Sequence, residues 1–334
     1  MMIQLNPLAT EEQELELIAR LEKMGFQIAR QGAGRLALVK GVDKLVKLEE
    51  FAKLPHVASV QPMKEKFKLA SLGSKPEPTV IEMKGKQIGG GSLFVIAGPC
   101  SIESKEQMEK CAKAAFEQGA QCLRGGAYKP RTSPYEFQGL EEEGLDILRA
   151  AAEKYNLITV SEVMDASQIE TASKRVDILQ VGARNMHNFS LLKELGKVKN
   201  PILLKRGFAA TYQDLLLAAE YIISAGNPNV ILCERGIRTF ETYTRNTLDL
   251  NAVPALKELT HLPVIVDPSH GTGIRSLVLP MARAAIAAGA DGVAIEMHPD
   301  PDRALTDAQQ TISFEAFAKM MGQLKLIHKA VQSC

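Results

Sequence analysis

From residue 93 onward, short apolar runs alternate with amphipathic segments. Each run is mainly apolar and continuous, without the strict alternation of apolar and polar residues, which is typical of parallel strands buried on both faces. Eight such runs are present, at 93–97, 121–123, 158–160, 177–181, 201–204, 230–232, 263–266 and 292–295. The pattern therefore predicts eight parallel strands in the second part of the chain.

Amphipathic stretches separate these runs, and three of them, 105–118, 139–155 and 212–225, have helical spacing. Eight strand and helix repeats over about 240 residues match the length of a (β/α)8 barrel. A doubly wound open sheet is the alternative, but no G-x-G-x-x-G motif follows the first run, and eight consecutive units favour closure. We therefore predict an α/β fold, a TIM barrel, over residues 79–334.

The residues before the barrel have a different pattern. Strand, helix, strand, strand, helix and strand follow one another over residues 1–66, the order of a ferredoxin-like module. Thr10 with Gln13 forms a capping-box signature in front of the first helix. Residues 67–78 are rich in Lys, Ser, Gly and Pro, which is typical of a linker. We therefore predict a small ferredoxin-like α+β domain, a linker and then the barrel, which begins with a hairpin at 79–92.

Composition limits the classes of partner. The 334 residues carry 40 basic and 39 acidic side chains, so the formal net charge is +1 at pH 7 and gives no basis for general affinity for nucleic acid. The five cysteines contain no C-x-x-C pair, which argues against a disulfide framework and a structural zinc site. No secretory signal is visible, and no apolar run reaches the roughly 18 to 20 residues of a membrane-spanning helix. We expect a cytoplasmic protein without nucleic-acid or membrane partners.

Basic side chains gather where the predicted strands end. The carboxyl ends of barrel strands form the active-site face, and the cations that follow the runs are Arg124, Lys129, Arg131, Arg184, Lys205, Arg206 and Arg235. A single basic residue at a strand end is more often a surface ion-pair partner. Seven basic residues that follow equivalent strand ends are harder to explain as surface ion pairs. Because Arg recognises phosphate and carboxylate through paired hydrogen bonds, the pattern predicts a substrate with more than one anionic group.

Soft and acidic side chains close three strands that are neighbours in a closed barrel. Cys100 follows the first run, His270 the seventh and Glu296 the eighth, and Asp307 lies in the loop beyond. A thiolate, an imidazole and two carboxylates suit a divalent transition metal such as Mn²⁺, Fe²⁺, Co²⁺ or Zn²⁺. The alternative is that Cys100 is a small buried residue without a ligand role, which is common for a free cysteine. The residues alone leave both interpretations open.

Five strings at the strand ends closely resemble one enzyme family. They are IAGPCS at 96–101, LRGGAYKPRTSP at 123–134, GARN at 182–185, LKRG at 204–207 and DPSH at 267–270. The family is 3-deoxy-D-arabino-heptulosonate-7-phosphate (DAHP) synthase, in the type I branch that carries an N-terminal ferredoxin-like domain. The resemblance covers essentially the whole predicted barrel and, more loosely, the first domain.

The resemblance implies a transferase that condenses phosphoenolpyruvate with D-erythrose 4-phosphate and water, the entry step of the shikimate pathway. It implies that the divalent metal is bound by Cys100, His270, Glu296 and Asp307. The residues implied for phosphoenolpyruvate are Arg124, Lys129, Arg184, Lys205 and Arg235. Those implied for erythrose 4-phosphate are Lys129, Pro130, Arg131 and Thr132, the last two on its phosphate.

We predict that Lys129, with Cys100 and His270, belongs to the catalytic group. Lys129 is the candidate for proton transfer during the condensation, because a lysine desolvated among other cations has a lowered pKa.

Two other functions stay open. A sibling family, 3-deoxy-D-manno-octulosonate-8-phosphate synthase, shares the Gly-Pro-Cys, Gly-Ala-Arg-Asn and Lys-Arg-Gly strings. It carries Lys-Ala-Asn-Arg-Ser-Ser where this chain has the Lys-Pro-Arg-Thr of 129–132, so the shorter sugar phosphate is favoured. A non-catalytic effector-binding barrel has less support, because all the candidate ligands and cations are present.

For the first domain, the resemblance implies a regulatory role. We expect feedback inhibition by tyrosine or phenylalanine, with effector sites between the domains of neighbouring subunits in a homotetramer. No effector residue can be assigned from the sequence, so the choice of amino acid stays open.

Overall fold

The computed structural model describes residues 1–30, 34–40, 47–62, 66–129, 135 and 137–333, without the side chains of 39 and 40. The chain divides into two compact units. One consists of Met1–Glu77 with Leu259–His261, and the other of Pro78–Glu258 with Leu262–Cys334.

The first unit has the predicted ferredoxin-like order. Its elements are β1 (Met2–Leu5), α1 (Glu11–Lys23), β2 (Gln27–Arg30), β3 (Arg35–Lys40), α2 (Leu48–Ala52) and β4 (Val57–Gln61). The strands pair in the order β2-β3-β1-β4, and every pair is antiparallel. The capping box is present. The Thr10 hydroxyl accepts a hydrogen bond from the backbone N–H of Gln13, and the side-chain oxygen of Gln13 accepts one from the backbone N–H of Thr10. Buried apolar side chains between sheet and helices form the core of this unit, among them Ile3, Leu21 and Phe51.

The segment predicted as a linker, 67–78, belongs to the first unit as far as Glu77. Phe67, Leu69 and Ala70 are buried, and Leu72 donates a backbone hydrogen bond to Leu259. Its apolar positions therefore contribute to packing, although its Lys, Ser, Gly and Pro content is that of an exposed connector.

The second unit begins with the predicted hairpin, β5 (Ile81–Met83) and β6 (Lys86–Ile88). The eight predicted strands follow and close into a parallel barrel. They are β7 (Phe94–Gly98), β8 (Cys122–Arg124), β9 (Ile158–Glu162), β10 (Ile178–Val181), β11 (Ile202–Lys205), β12 (Val230–Glu234), β13 (Val264–Val266) and β14 (Gly292–Glu296). The α-helices are α3 (Lys105–Gln118), α4 (Glu141–Glu153), α5 (Ile169–Ser173), α6 (Phe189–Leu195), α7 (Tyr212–Ser224), α8 (Ala252–Leu259), α9 (Pro268–Thr272), α10 (Arg275–Ala287) and α11 (Phe314–Gln332). The TIM-barrel prediction is confirmed, and the open-sheet alternative is wrong.

The hairpin packs at the amino-terminal end of the barrel. Ile81 and Ile88 pair across it and belong to the same buried apolar cluster as Phe94, Ile158 and Ile178, which lie at or near the first residues of their strands. Apolar side chains therefore fill this end of the barrel, and the polar side chains of the candidate site lie at the carboxyl ends of the strands. Within the described ranges, no helix combines the length and the apolar character that a bilayer crossing requires.

Candidate active site

The loop that carries Cys100 leaves β7 through a glycine that no other residue could replace. Gly98 has φ +151°, and a Cβ there would lie 2.1 Å from the carbonyl oxygen of Arg124 on the neighbouring strand. The absence of a side chain lets β7 and β8 approach each other at their carboxyl ends. Cys100 and Arg124 consequently enter the same end of the barrel.

The four predicted metal ligands converge at this end. Candidate donor atoms of Cys100, His270, Glu296 and Asp307 all lie within 4.8 Å of one another. Cys100 Sγ is 3.3 Å from Asp307 Oδ2, and His270 Nε2 is 3.4 Å from Glu296 Oε1 and 3.8 Å from Asp307 Oδ2. Residues separated by up to 207 positions along the chain therefore form one cluster.

A buried carboxylate orients the histidine. Asp267 Oδ2 is 2.7 Å from both His270 Nδ1 and Lys205 Nζ. Burial acts to raise the pKa of Asp267, but His270 and Lys205 outweigh it and hold the pKa well below its usual range. Because an ionised carboxylate only accepts hydrogen bonds, His270 Nδ1 carries the proton and Nε2 presents its lone pair to the cluster.

Glu296 is fully buried and remains ionised. Arg124 Nη1 lies 2.9 Å from Oε1, and the Gln310 amide donates to Oε2. Burial alone would raise the pKa of Glu296, but His270 and Arg124 outweigh it and lower the pKa to about 2. The carboxylate is therefore available as a ligand at neutral pH.

Asp307 occupies a conformation that few residues adopt. Its φ is +52°, in the left-handed region, where Asp is tolerated better than most side chains. Arg245 Nη1 lies 3.2 Å from Oδ1, which leaves Oδ2 facing Cys100 and His270. The strained backbone and the ion pair together direct one carboxylate oxygen into the cluster.

The pKa of Lys129 is shifted in the direction opposite to our prediction. Lys129 Nζ is 3.0 Å from Cys100 Sγ and 3.1 Å from the Cys100 carbonyl oxygen. Burial acts to lower the pKa of Lys129, but Cys100 and then Glu296 outweigh it, and the pKa is raised. The prediction of a lowered pKa was wrong, because the interactions of Lys129 with Cys100 and Glu296 outweigh the effects of burial and of Arg124.

The cluster fits a divalent metal ion. Burial, reinforced by Glu296, raises the pKa of the Cys100 thiol to about 12, so that without a cation the sulfur keeps its proton. A divalent cation at this position would displace that proton and neutralise the two carboxylates. Sulfur, imidazole and carboxylate donors at mutual distances below 4.8 Å are the set that transition metals prefer.

The predicted anion-binding side chains lie around the cluster. One cavity is lined by Lys129, Arg184, Lys205, Arg235 and Arg245, together with His270 and Asp307. Among the described residues, Arg184 and Arg235 have no ion-pair partner, and the guanidinium of Arg235 stacks 4.8 Å from the ring of Phe208. Arg235 Nη1 is buried without a hydrogen-bond partner in the described part of the chain. A buried cationic donor without an acceptor is costly, so this geometry favours an anion in the cavity.

Two predicted cations do not line this cavity. Arg206 Nη1 is 2.8 Å from Glu234 and 2.9 Å from Asp249, so its charge is neutralised within the protein. Arg124 is buried, does not line the cavity and pairs with Glu296. Pro130, Arg131 and Thr132 fall outside the described residues, so their assignment to erythrose 4-phosphate stays a prediction.

Sequence reasoning missed several members of the site. Asp267 stood in a recognised string but had no role assigned, although a carboxylate three residues before a candidate ligand histidine is a recognisable signal. Glu162 lines the cavity and accepts from Gln180. Arg245 and Gln310 lie in loops without periodicity, where no sequence pattern could have identified them.

The chain matches known proteins along its full length. Residues 77–332 match the model of the DAHP synthetase I family. A phospho-2-dehydro-3-deoxyheptonate aldolase of Thermotoga maritima is 45% identical over 333 residues, which is 99% of this chain and 98% of that protein. Its crystal structure, described as that of a DAHP synthase, superposes with a TM-score of 0.80 over 98% of this chain and 97% of that one.

A second group of relatives matches a shorter part of the chain. A 2-dehydro-3-deoxyphosphooctonate aldolase of Syntrophobacter fumaroxidans is 32% identical over 269 residues, which is 75% of this chain and 92% of that protein. The match to the heptonate enzyme is both higher in identity and longer, and it includes the first unit. The chain therefore belongs to the DAHP synthetase I family and is a transferase of the DAHP synthase type.

Proposed function

We propose that this protein condenses phosphoenolpyruvate with D-erythrose 4-phosphate and water, giving 3-deoxy-D-arabino-heptulosonate 7-phosphate and phosphate. This is the first step of the shikimate pathway to the aromatic amino acids. The observation that supports it most is one cavity in which the cluster of Cys100, His270, Glu296 and Asp307 adjoins Arg184 and Arg235, two cations without an ion-pair partner among the described residues. Such a site suits a reaction of phosphorylated substrates that needs a divalent metal.

In this mechanism the cations position phosphoenolpyruvate. Arg184 and Arg235 would bind its phosphate, and Lys205 would lie between phosphate and carboxylate, held in place by Asp267. Arg124 and Lys129 would complete the carboxylate site. Fixing both anionic groups orients the nucleophilic carbon C3 toward the aldehyde and excludes competing water, which is catalysis by positioning.

Carbon C3 of phosphoenolpyruvate bonds to the aldehyde carbon of the sugar, and water adds at C2 before the bond to phosphate breaks. A divalent metal held by the four ligands would supply a Lewis acid for the charge that develops on the aldehyde oxygen. Lys129 Nζ, which retains its proton because of its raised pKa, would donate that proton to the same oxygen.

The reaction can be tested by phosphate release from phosphoenolpyruvate in the presence of Mn²⁺. We expect release with erythrose 4-phosphate, loss after treatment with a chelator, and recovery when Mn²⁺ is returned. Preference for arabinose 5-phosphate would favour the octulosonate reaction, toward which the relatives at 32% identity point. Release with neither sugar would contradict an aldol-type condensation and favour a binding function.

The role of Lys129 can be tested by Lys129→Arg, which keeps the positive charge but does not release its proton below about pH 12. We expect turnover to fall by roughly 10²-fold or more, the usual contribution of a proton donor. Lys84→Arg is the matched control, because Lys84 is ion-paired with Asp177 outside the active-site cavity. Near-normal turnover of Lys129→Arg with an unchanged pH profile would contradict the proton-transfer role.

We also propose feedback inhibition by tyrosine or phenylalanine through the first unit, and a homotetramer as the functional assembly. The ferredoxin-like order of the first unit and the full-length match to the heptonate enzyme support this proposal. Light scattering tests the assembly directly, since a monomer at micromolar concentration would contradict it.

A further inference from the structure

We propose that Gln310 is a positioning residue that fixes two of the metal-ligand carboxylates, those of Glu296 and Asp307, relative to each other. The inference rests on the function proposed above, because it concerns how the metal site is held. Gln310 is completely buried, yet it is not among the residues that line the active-site cavity. Any effect on the reaction must therefore pass through the groups it contacts.

Both ends of the Gln310 amide are engaged. Its Nε2 donates to Glu296 Oε2, and its Oε1 accepts from Arg245 Nη1 at 3.0 Å. The same Arg245 nitrogen lies 3.2 Å from Asp307 Oδ1. Because a carboxylate only accepts and a guanidinium only donates, this orientation of the amide is the one that satisfies both partners. A continuous chain of polar contacts therefore joins the two ligands.

The two carboxylates need such support for different reasons. Glu296 Oε1 contacts Arg124 and His270 Nε2, and the Gln310 bond to Oε2 fixes the remaining rotation of the carboxylate plane. Asp307 lies in a turn and has a left-handed backbone conformation. The backbone N–H of Gln310 donates to the Asp307 carbonyl oxygen at 3.2 Å and closes this turn. Gln310 thus restrains one ligand through its side chain and the other through its backbone and Arg245.

The test is the affinity of the chelator-treated full-length protein for Mn²⁺, measured by titration calorimetry. In Gln310→Met the amide is replaced by a side chain of similar length that makes neither bond. We expect Mn²⁺ to bind about 10- to 100-fold more weakly, the usual effect of losing a group that orients metal ligands. At saturating Mn²⁺ the KM for phosphoenolpyruvate should be unchanged, because Gln310 does not line the cavity.

The matched control is Gln309→Met, the same substitution at the exposed preceding residue. We expect wild-type Mn²⁺ affinity there. If Gln310→Met folds, as judged by its thermal transition, and keeps wild-type affinity, the positioning role is overturned. A raised KM at saturating Mn²⁺ with unchanged metal affinity would also overturn it, because that result would place Gln310 in substrate binding.

A second variant, at Arg245, tests the same contacts without any change at the buried position of Gln310, where a substitution could impair folding. Arg245 has a side chain that is 37% exposed, and Arg245→Lys retains the charge but replaces the guanidinium, whose Nη1 contacts both Gln310 and Asp307, by an ammonium group on a shorter side chain. We expect weaker Mn²⁺ binding, and in the double variant a loss smaller than the product of the two single losses, since both substitutions break one linkage. Losses that multiply would contradict the linkage. Failure of the wild-type protein to bind Mn²⁺ would instead contradict the proposed function.

Discussion

At the scale of single residues, two side chains at equivalent positions in the sequence have different roles because their surroundings differ. Arg206 and Arg235 each follow the last residue of a barrel strand, and both are almost completely buried. Arg206 pairs with Glu234 and Asp249, whereas Arg235 has a buried nitrogen without a partner among the described residues. The first arginine therefore stabilises the fold, and the second is available for an anionic ligand.

Substitution by methionine should affect mainly stability at Arg206 and mainly substrate binding at Arg235. Arg206→Met leaves the buried carboxylate of Glu234 without its partner and should lower the free energy of unfolding by about 3 kcal/mol. Arg235→Met removes an unsatisfied donor, so stability should be retained, while the KM for phosphoenolpyruvate should rise roughly 10- to 100-fold through loss of a charge-assisted bond. Urea unfolding and initial-rate kinetics on both variants check this. Equal effects on stability would contradict the distinction.

At the scale of elements, the hairpin β5–β6 and the barrel strands form one core. Ile88 is completely buried against the interior side chains at the amino-terminal end of the barrel, opposite to the active site. The hairpin therefore contributes to stability while leaving the carboxyl end open for substrates.

We expect Ile88→Ala to lower the free energy of unfolding by about 2 to 5 kcal/mol, because it leaves a cavity in a packed core. Val80, which is 43% exposed just before the hairpin, provides the control Val80→Ala, with an expected change below about 0.5 kcal/mol. Urea unfolding measures both. The KM values of Ile88→Ala for both substrates should stay unchanged under native conditions, and a large rise would show that the two barrel ends are coupled.

A second element-scale prediction concerns pH. His261 Nε2 lies 2.8 Å from the Leu69 carbonyl oxygen, and burial lowers the pKa of this histidine. The folded state therefore prefers the neutral imidazole, whereas the unfolded chain takes up a proton below about pH 6.5. The stability that depends on neutral His261 is present above that pH and is lost as the pH falls through the lowered pKa of the folded state.

His261→Gln should reduce this acid sensitivity, because glutamine does not titrate and can still donate to Leu69. Calorimetric Tm values between pH 7.5 and 5 should fall less steeply for His261→Gln than for the wild type. His328→Gln, on α11, serves as the histidine control and should retain the wild-type slope. Parallel slopes for the wild type and His261→Gln would contradict the assignment.

At the scale of the whole molecule, the described side chains of the candidate metal cluster and of its cavity all belong to the second unit, between residues 100 and 307. That unit contains a closed barrel with its own core. The first unit is therefore separable from the chemistry in structural terms.

Deletion of residues 1–77 should leave the condensation within about a factor of ten of the full-length rate and abolish inhibition by tyrosine or phenylalanine. The physical reason is that none of the described metal-cluster or cavity residues is removed. Phosphate release, with and without each amino acid, tests this on both proteins. Retained inhibition in the truncated protein would place the effector site in the barrel and contradict the proposed regulation.

The sequence by itself determined the secondary structure and the type of chemistry. Continuous apolar runs predicted each barrel strand to within one or two residues, because burial on both faces makes most positions of a parallel strand apolar. The choice of Cys100, His270, Glu296 and Asp307 followed from residue type and from their positions after three strands, with Asp307 in the loop beyond the eighth. These four side chains converge because the barrel is closed, which makes its seventh, eighth and first strands neighbours.

Only the tertiary structure decided which charges are neutralised and which remain free. Arg206 is paired, whereas Arg235 has a buried nitrogen without a partner in the described part of the chain. The pKa of Lys129 is raised and not lowered, and Gln310, in a loop without any pattern, contacts both Glu296 and Arg245. These properties depend on distances of a few ångströms between residues far apart in the chain. Electrostatic and hydrogen-bonding energies change steeply over such distances, and they are set by three-dimensional packing, which periodicity along the sequence does not describe.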